Sequence, residues 1–379
     1  MDKDQKIDNE FLILETGNII FDQYRVIRKI GVGGMFSTIY LVENIQKKDD
    51  LYVVKVINRT QNITDSAWER FNNECLTSIR VNKCNNVVKT LRIYKYPNNK
   101  TVIILMEYVN GNSLRDIINQ KGMLTLNESI YIFKKILFIL KELYSFNDKI
   151  IHRDLKPENI MLSKDLSEVK LIDFGISSVI TTKTINSGAK ITNILTNEEQ
   201  LYGTYPYISP LLLKFYKSHS NERNEYINER CDFYSIGVIF YEMLTGNKPF
   251  LASNYDDQSI ISLPLTYDLP PLAKINPKIS IAIENIIFRC IASKDIDLKF
   301  CYKNVDEIID DINNVENDNI KNTTLLKPYK ERIFQNKIFN VNNEVAKIKF
   351  YNSPWFFWAL FFIVVAIGVL VIIILTNKF

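Results

Sequence analysis

Residues 150–162 read IIHRDLKPENIML, and residues 171–175 read LIDFG. Each stretch sets charged side chains among aliphatic ones. Taken singly, Asp154 and Asp173 could belong to a solvated acidic loop. Two such strings about twenty residues apart, behind an ordered series of earlier segments, argue for a built site.

Working back toward the N-terminus, residues 31–40 read GVGGMFSTIY. Gly31, Gly33 and Gly34 let backbone N–H groups approach a phosphate with no Cβ in the way. Alone, this is equally an ordinary glycine-rich turn, because Phe36 stands where a third glycine of G-x-G-x-x-G belongs. The strand-like YVVK follows and ends at Lys55. Nineteen residues later, on a helical stretch, comes Glu74. A lysine and a glutamate on facing elements can pair so that the lysine is aimed at α- and β-phosphates. As an exposed salt bridge alone the pair would mean little.

With ILMEYVNGNSL at residues 104–114 added, the series resembles a eukaryotic-type (Hanks-type) serine/threonine protein kinase over residues 24–312, similar to the membrane-bound bacterial members. The resemblance implies an ATP-dependent phosphotransferase using Mg²⁺. In such chemistry little covalent work falls to the protein, so positioning and charge neutralisation dominate. Asp154 would orient the incoming hydroxyl and Lys156 would neutralise the γ-phosphate. Asn159 and Asp173 would hold Mg²⁺, a cation that takes few protein ligands and keeps phosphate oxygens and waters. Backbone groups of Glu107 and Val109 would meet the adenine edge, with Met106 behind them, Ile39 and Val53 above and Met161 below. Thr204 in GTYPY is similar to the threonine that bonds the catalytic loop. A phosphate on Thr196 would pair with Arg153 and order the segment before it. Asp232 would brace the catalytic loop from a helix.

The outline agrees. From Tyr24 to about residue 105 the pattern is strand-like, broken by one helical stretch at about 66–81. After Gly111 the period turns helical, with Ile130, Phe133, Leu137 and Leu140 on one face. The expected fold is α+β: the bilobal protein kinase fold, a small β-rich N-lobe and a larger α-helical C-lobe, plus one C-terminal transmembrane helix. Residues 1–23 form a leader and residues 313–354 an Asn/Lys-rich linker. Within the linker, residues 327–349 carry six basic side chains against two acidic ones. Residues 355–375, WFFWALFFIVVAIGVLVIIIL, hold no charge. As a helix they would span about 32 Å, enough for a bilayer core of about 30 Å. Only residues 376–379 follow, so a single-pass tail anchor with the kinase domain in the cytoplasm is expected; the basic linker agrees with that side. Anchoring would also raise the local concentration of the chain toward itself and favour self-association and trans-autophosphorylation. The substrates implied are Ser/Thr-bearing proteins.

Composition excludes other classes. With 47 basic and 43 acidic residues the net charge is +4, too even for a nucleic-acid binder. Five scattered cysteines without C-x-x-C spacing read as reduced, buried thiols, and two histidines argue against a histidine metal site. Four departures from the family pattern bear on activity. The glycine loop is one residue longer and lacks its third glycine, Val53 replaces an alanine, Leu211 replaces a glutamate, and Lys299 stands in place of that glutamate's arginine. The last two read as a substituted brace, since an arginine without its glutamate would be left unpaired at a cost of several kcal/mol. The alternative to an active kinase is a pseudokinase scaffold that binds partners, and ATP with them, without efficient transfer. A small-molecule phosphotransferase does not fit HRDLKPEN.

Overall fold

A computed structural model describes residues 7–8, 11–33, 37–59, 65–96, 100–173, 205–212, 228–249, 272–292 and 300–316. Two short strands, β1 (Ile7–Asp8) and β2 (Phe11–Leu12), pair with each other. Six more form one antiparallel sheet: β3 (Ile19–Ile20), β4 (Tyr24–Gly33), β5 (Ser37–Asn44), β6 (Leu51–Asn58), β7 (Thr90–Lys95) and β8 (Thr101–Glu107), in the order β3-β4-β5-β6-β8-β7. Helix α1 (Asp65–Arg80) lies between β6 and β7 in the chain.

The two faces of this sheet are read from β6. Because side chains alternate along a strand, Val54 and Val56 fall on one face, and Val53, Lys55 and Ile57 on the other. The first face packs Val54 and Val56 with Tyr40, Val42, Ile103 and Leu105. On the second, Ile57, Val102 and Ile104 meet Trp68, Phe71 and Cys75 of α1. With both faces covered, β6 and β8 read as apolar runs rather than as polar-apolar alternation.

The first face is covered by the chain's own N-terminal segment. Leu12, Leu14 and Ile20 are buried in that cluster, although 1–23 reads from sequence as a leader. Asn58 fastens them: its Oδ1 accepts the Leu12 N–H at 3.1 Å and its Nδ2 donates to the Leu12 carbonyl at 3.0 Å. Thr101 Oγ1 donates to the same Asn58 Oδ1 at 2.9 Å, and the Leu14 N–H donates to the Tyr40 hydroxyl at 3.2 Å.

The second half is helical. Strands β9 (Gly111–Ser113), β10 (Ile160–Ser163) and β11 (Val169–Leu171) form a small sheet in the order β11-β10-β9. Its helices are α2 (Leu114–Lys121) and α3 (Leu126–Tyr144), which pack on that sheet, and α4 (Glu229–Thr245), α5 (Leu272–Ile275), α6 (Ile281–Ile291) and α7 (Val305–Glu316). Ser113 with Asp116, and Thr125 with Glu128, make capping boxes that start α2 and α3. The Lys121 ammonium and the Thr125 N–H hold the Glu128 carboxyl at about 2. The four apolar residues expected on one face of α3 are all buried. In α4 every residue from Cys231 to Thr245 is buried, as expected of a helix apolar nearly all round. Gly237 permits this: a Cβ there would lie 2.7 Å from Cys290 Cβ and 2.8 Å from Ile291 Cγ1 of α6. Gly111 does the same between β9 and β10, where a Cβ would meet the Leu162 carbonyl oxygen at 1.8 Å.

None of the five cysteines forms a disulfide, and all five are buried. Burial pushes the thiols of Cys84, Cys231 and Cys301 up to about 11, which keeps them protonated and unreactive. Helix α7 continues to Glu316, past the expected boundary at residue 312. The chain divides into two units, 1–328 and 329–379, and the second lies outside the described residues. Among the described residues no helix is long and apolar enough to cross a membrane; the run 355–375 is not among them.

The N-terminal segment supplies a test. Leu12→Ala removes a side chain only 3% exposed and is expected to cost about 2–3 kcal/mol in denaturant unfolding. Its neighbour Ile13 is 50% exposed, and Ile13→Ala should change stability by less than about 0.5 kcal/mol. Equal effects would show that the segment does not dock through alternate side chains.

Candidate active site

The catalytic-loop residues are held from behind by one carboxylate. Asp232, buried in the first turn of α4, accepts the backbone N–H groups of His152 and Arg153, each at 2.9 Å, and the Tyr144 hydroxyl at 3.0 Å. Burial pushes the Asp232 carboxyl above its ordinary value, against the pull of His152 and these donors. Arg153 has φ 66°, a left-handed backbone conformation that costs a non-glycine residue on the order of 1–3 kcal/mol. The bond from its N–H to Asp232 stabilises that geometry. His152 is fully buried and bonded to the Ile172 backbone, and burial lowers its pKa despite the Asp232 and Asp154 charges.

This loop presents three polar side chains together. Lys156 Nζ lies 3.2 Å from Asp154 Oδ1 and 3.1 Å from Oδ2. Asn159 Nδ2 donates to the Asp154 carbonyl at 2.8 Å and to Oδ2 at 3.0 Å. Burial works against the charged form of Lys156, but Asp154, then Glu158 and Asp173, outweigh it and raise its pKa. With its amide nitrogen spent on Asp154, Asn159 has its carbonyl oxygen as the remaining donor for a cation. The Asn159 backbone carbonyl accepts the Ile172 N–H at 3.0 Å, which ties this loop to the segment that ends in Asp173.

From the other half, Lys55 reaches Asp173: Nζ to Oδ1 is 2.7 Å. Lys55 stands on the α1-facing side of β6, two residues from Val53. Burial opposes charge on Asp173, yet Lys55 in contact, then Lys156 and His152, hold its carboxyl below the ordinary value. Asp173 also has a left-handed backbone, φ 54°. Asn159 and Asp173 together offer an amide and a carboxylate oxygen, hard donors that suit Mg²⁺ carrying phosphate oxygens. Glu74 lies on α1, with its side chain outside the described atoms.

Ile39, Val53, Met106, Glu107, Val109 and Met161 are each partly buried. Val53 pairs with Met106 across β6 and β8, and Ile39 with Lys55 across β5 and β6. Gly31 and Gly33 pair with Ile39 and Ser37, which makes β4 and β5 a hairpin, and a Cβ on Gly31 would touch nothing within 4 Å. Gly34, Phe36, Thr196, Thr204 and Lys299 lie outside the described residues. Leu211 packs, as Ile151 and Ile208 do, against the buried cluster of Leu212 and Cys231, so an apolar contact stands where the family pattern has a glutamate.

One cluster beside the catalytic loop has no signature in the sequence. Arg115 of α2 donates to Glu158 Oε1 at 2.7 Å, to Glu242 Oε1 at 2.6 Å and to the Tyr207 hydroxyl at 2.5 Å. Tyr207 also donates to Glu242, whose side chain is 2% exposed. Removing the guanidinium would leave that buried carboxylate without its countercharge. Its partners lie 43, 92 and 127 residues away, so no local motif announces it.

The protein kinase domain family matches residues 24–297. The chain belongs to that family, and it is a protein kinase of the serine/threonine branch. Chains named as serine/threonine-protein kinases resemble it nearly end to end: one of Mycoplasma pneumoniae is 33% identical, and one of Mycoplasma genitalium 34% identical, with 95–96% of every chain covered. The serine/threonine-protein kinase PrkC of Bacillus subtilis is 27% identical over 73% of this chain and 38% of its own length.

The buried histidine makes stability pH-dependent. Its folded pKa is below the unfolded value, so the unfolded chain takes up the proton first. Its contribution is whole at neutral pH and is lost as pH falls below about 6.5. Melting temperatures from pH 7.5 to 5.5 should fall, with a slope of at most about 1.4 kcal/mol per pH unit from this group. His152→Asn should flatten that slope; an unchanged slope would assign it to another residue.

Proposed function

We propose that this chain transfers the γ-phosphoryl group of Mg-ATP to serine and threonine hydroxyls of proteins, its own activation segment included, while anchored to a membrane by residues 355–375. The observation that carries the reading is the convergence of Asp154, Lys156 and Asn159 on one loop with Lys55 and Asp173 meeting at 2.7 Å across the two halves. Asp154 is placed to take a hydrogen bond from an incoming hydroxyl. Lys156 holds positive charge next to it, and Lys55, in contact with Asp173, would turn to a bound phosphate. When bound, Mg²⁺ would supply charge neutralisation to the phosphate oxygens from Asn159 and Asp173. Transfer of the proton and orientation of the hydroxyl fall to Asp154.

Support for the anchor is the uncharged run of 21 residues at 355–375, with Trp355 and Trp358 at one end and a basic stretch before it. The kinase then faces the compartment that holds ATP, and a membrane-bound population favours transfer between copies.

In lipid nanodiscs with Mg-ATP, the full-length chain should incorporate phosphate on Ser or Thr. Asp154→Asn and Lys55→Met should each reduce the rate by at least about 10²-fold. If all three bind nucleotide and incorporate equally little phosphate, the protein is a nucleotide-binding scaffold. For the anchor, deleting residues 354–379 should move the protein from the membrane pellet to the supernatant. Retention in the pellet would assign membrane attachment elsewhere.

A further inference from the structure

A second line of charge runs behind the expected adenine edge. Glu107 ends β8, and its carboxylate serves two elements. Oε1 pairs with Lys170 Nζ on β11, and Oε2 accepts the backbone N–H of Lys89 at 3.2 Å. The Glu107 N–H donates to the Lys89 carbonyl at 2.9 Å, so the two residues are joined in both directions. Lys89 Nζ turns back to the carbonyls of Asn82 and Cys84, at 2.6 and 2.5 Å. These belong to the 3₁₀ turn that follows α1. A cation at that end meets unpaired carbonyls and the negative end of the helix dipole.

The same stretch is sewn to its neighbours at two more places. Asn82 exchanges two hydrogen bonds of 2.8 Å with the Thr90 backbone. Val88 N–H donates to the Leu171 carbonyl, and Leu171 N–H to the Asn86 carbonyl, both at 2.9 Å. Leu171 follows Lys170 and precedes Asp173 by two residues. Lys170 itself pairs in register with Met161, the residue expected beneath adenine. Residues 82–90 thus connect the end of the helix that carries Glu74, the strand that ends at Glu107, and the strand that leads to Asp173.

We infer that the Glu107–Lys170 ion pair is a positioning device: it sets the adenine-binding edge of β8 relative to the cation ligand Asp173, and Lys89 relays that setting to α1. This rests on the nucleotide-binding part of the function proposed above. The Lys170 and Glu107 side chains are 18% and 30% exposed, so the pair is less screened than a surface salt bridge. Lys170 has no place among the groups that touch substrate, so it acts only through the strands it joins. A pair that served stability alone would lower the melting temperature when broken and leave nucleotide affinity unchanged.

The test uses the full-length chain in nanodiscs, with Mg-ADP titrated calorimetrically and amide exchange followed over residues 82–90, 104–109 and 169–173. Lys170→Met should weaken Mg-ADP binding about tenfold, the scale typical of a residue that orients a ligand from behind. It should also speed exchange in both 82–90 and 104–109. Lys170→Arg, which keeps the charge, should recover most of the affinity. Lys89→Met should speed exchange at 82–90 and weaken Mg-ADP in the same direction, which keeps the inference testable if Lys170→Met does not fold. Wild-type affinity in either methionine variant, or exchange changes confined to 169–173, would overturn it. Mg-ADP binding needs no phosphoryl transfer. A wild-type chain that binds but does not transfer phosphate therefore counts against the catalytic reading alone, and one that does not bind removes the nucleotide reading itself.

Discussion

The catalytic loop depends on a carboxylate that never faces solvent. Asp232 sits in the first turn of a helix buried on every side, and a lone charge there would be costly. Three donors aim at it, two of them consecutive backbone N–H groups from the catalytic loop and one the Tyr144 hydroxyl at the end of α3. The arrangement is reciprocal. The loop supplies the donors that the carboxylate needs, and the carboxylate holds the loop in a shape that includes a left-handed arginine. Asp154, Lys156 and Asn159 inherit their positions from that anchorage, because each lies within seven residues of His152.

The two halves meet through groups whose charge is balanced only in combination. Lys55 comes from a strand whose neighbouring side chains are valine and isoleucine, and Asp173 lies two residues past the end of β11. Their contact balances one positive charge against one negative charge. Phosphates entering there would compete with Asp173 for the lysine, and a cation would compete with the lysine for Asp173. Mg²⁺ and ATP are therefore expected to support each other's binding, because each takes one partner of the ion pair.

Much of this is readable in the residues. The polar groups of HRDLKPEN lie on one loop and Asp173 lies two residues past β11, since short motifs encode local backbone shape. The apolar rhythm of β6, β8 and α3 likewise follows from burial. What sequence could not show is long-range. Arg115 meets Glu158, Glu242 and Tyr207 only after four distant segments have packed. Glu107 reads as a residue that meets the adenine edge through its backbone, whereas its side chain links Lys170 to the Lys89 backbone. The N-terminal segment also escapes: FLIL at residues 11–14 is too short for a period to declare itself, and its role appears only when Leu12 and Leu14 are seen against Val54 and Val56.

That segment changes where the folding unit begins. The family match starts at Tyr24, but the outer face of the sheet carries Tyr40, Val42, Val54, Val56, Ile103 and Leu105 under residues 12–20. A recombinant chain begun at Tyr24 would turn those side chains to water as one contiguous strand-borne patch, the kind of surface through which proteins self-associate. It would also strand the Asn58 Nδ2 without the Leu12 carbonyl and leave its Oδ1 with Thr101 Oγ1 alone. Low solubility of such a fragment would then report a missing cover and carry no information about the kinase chemistry.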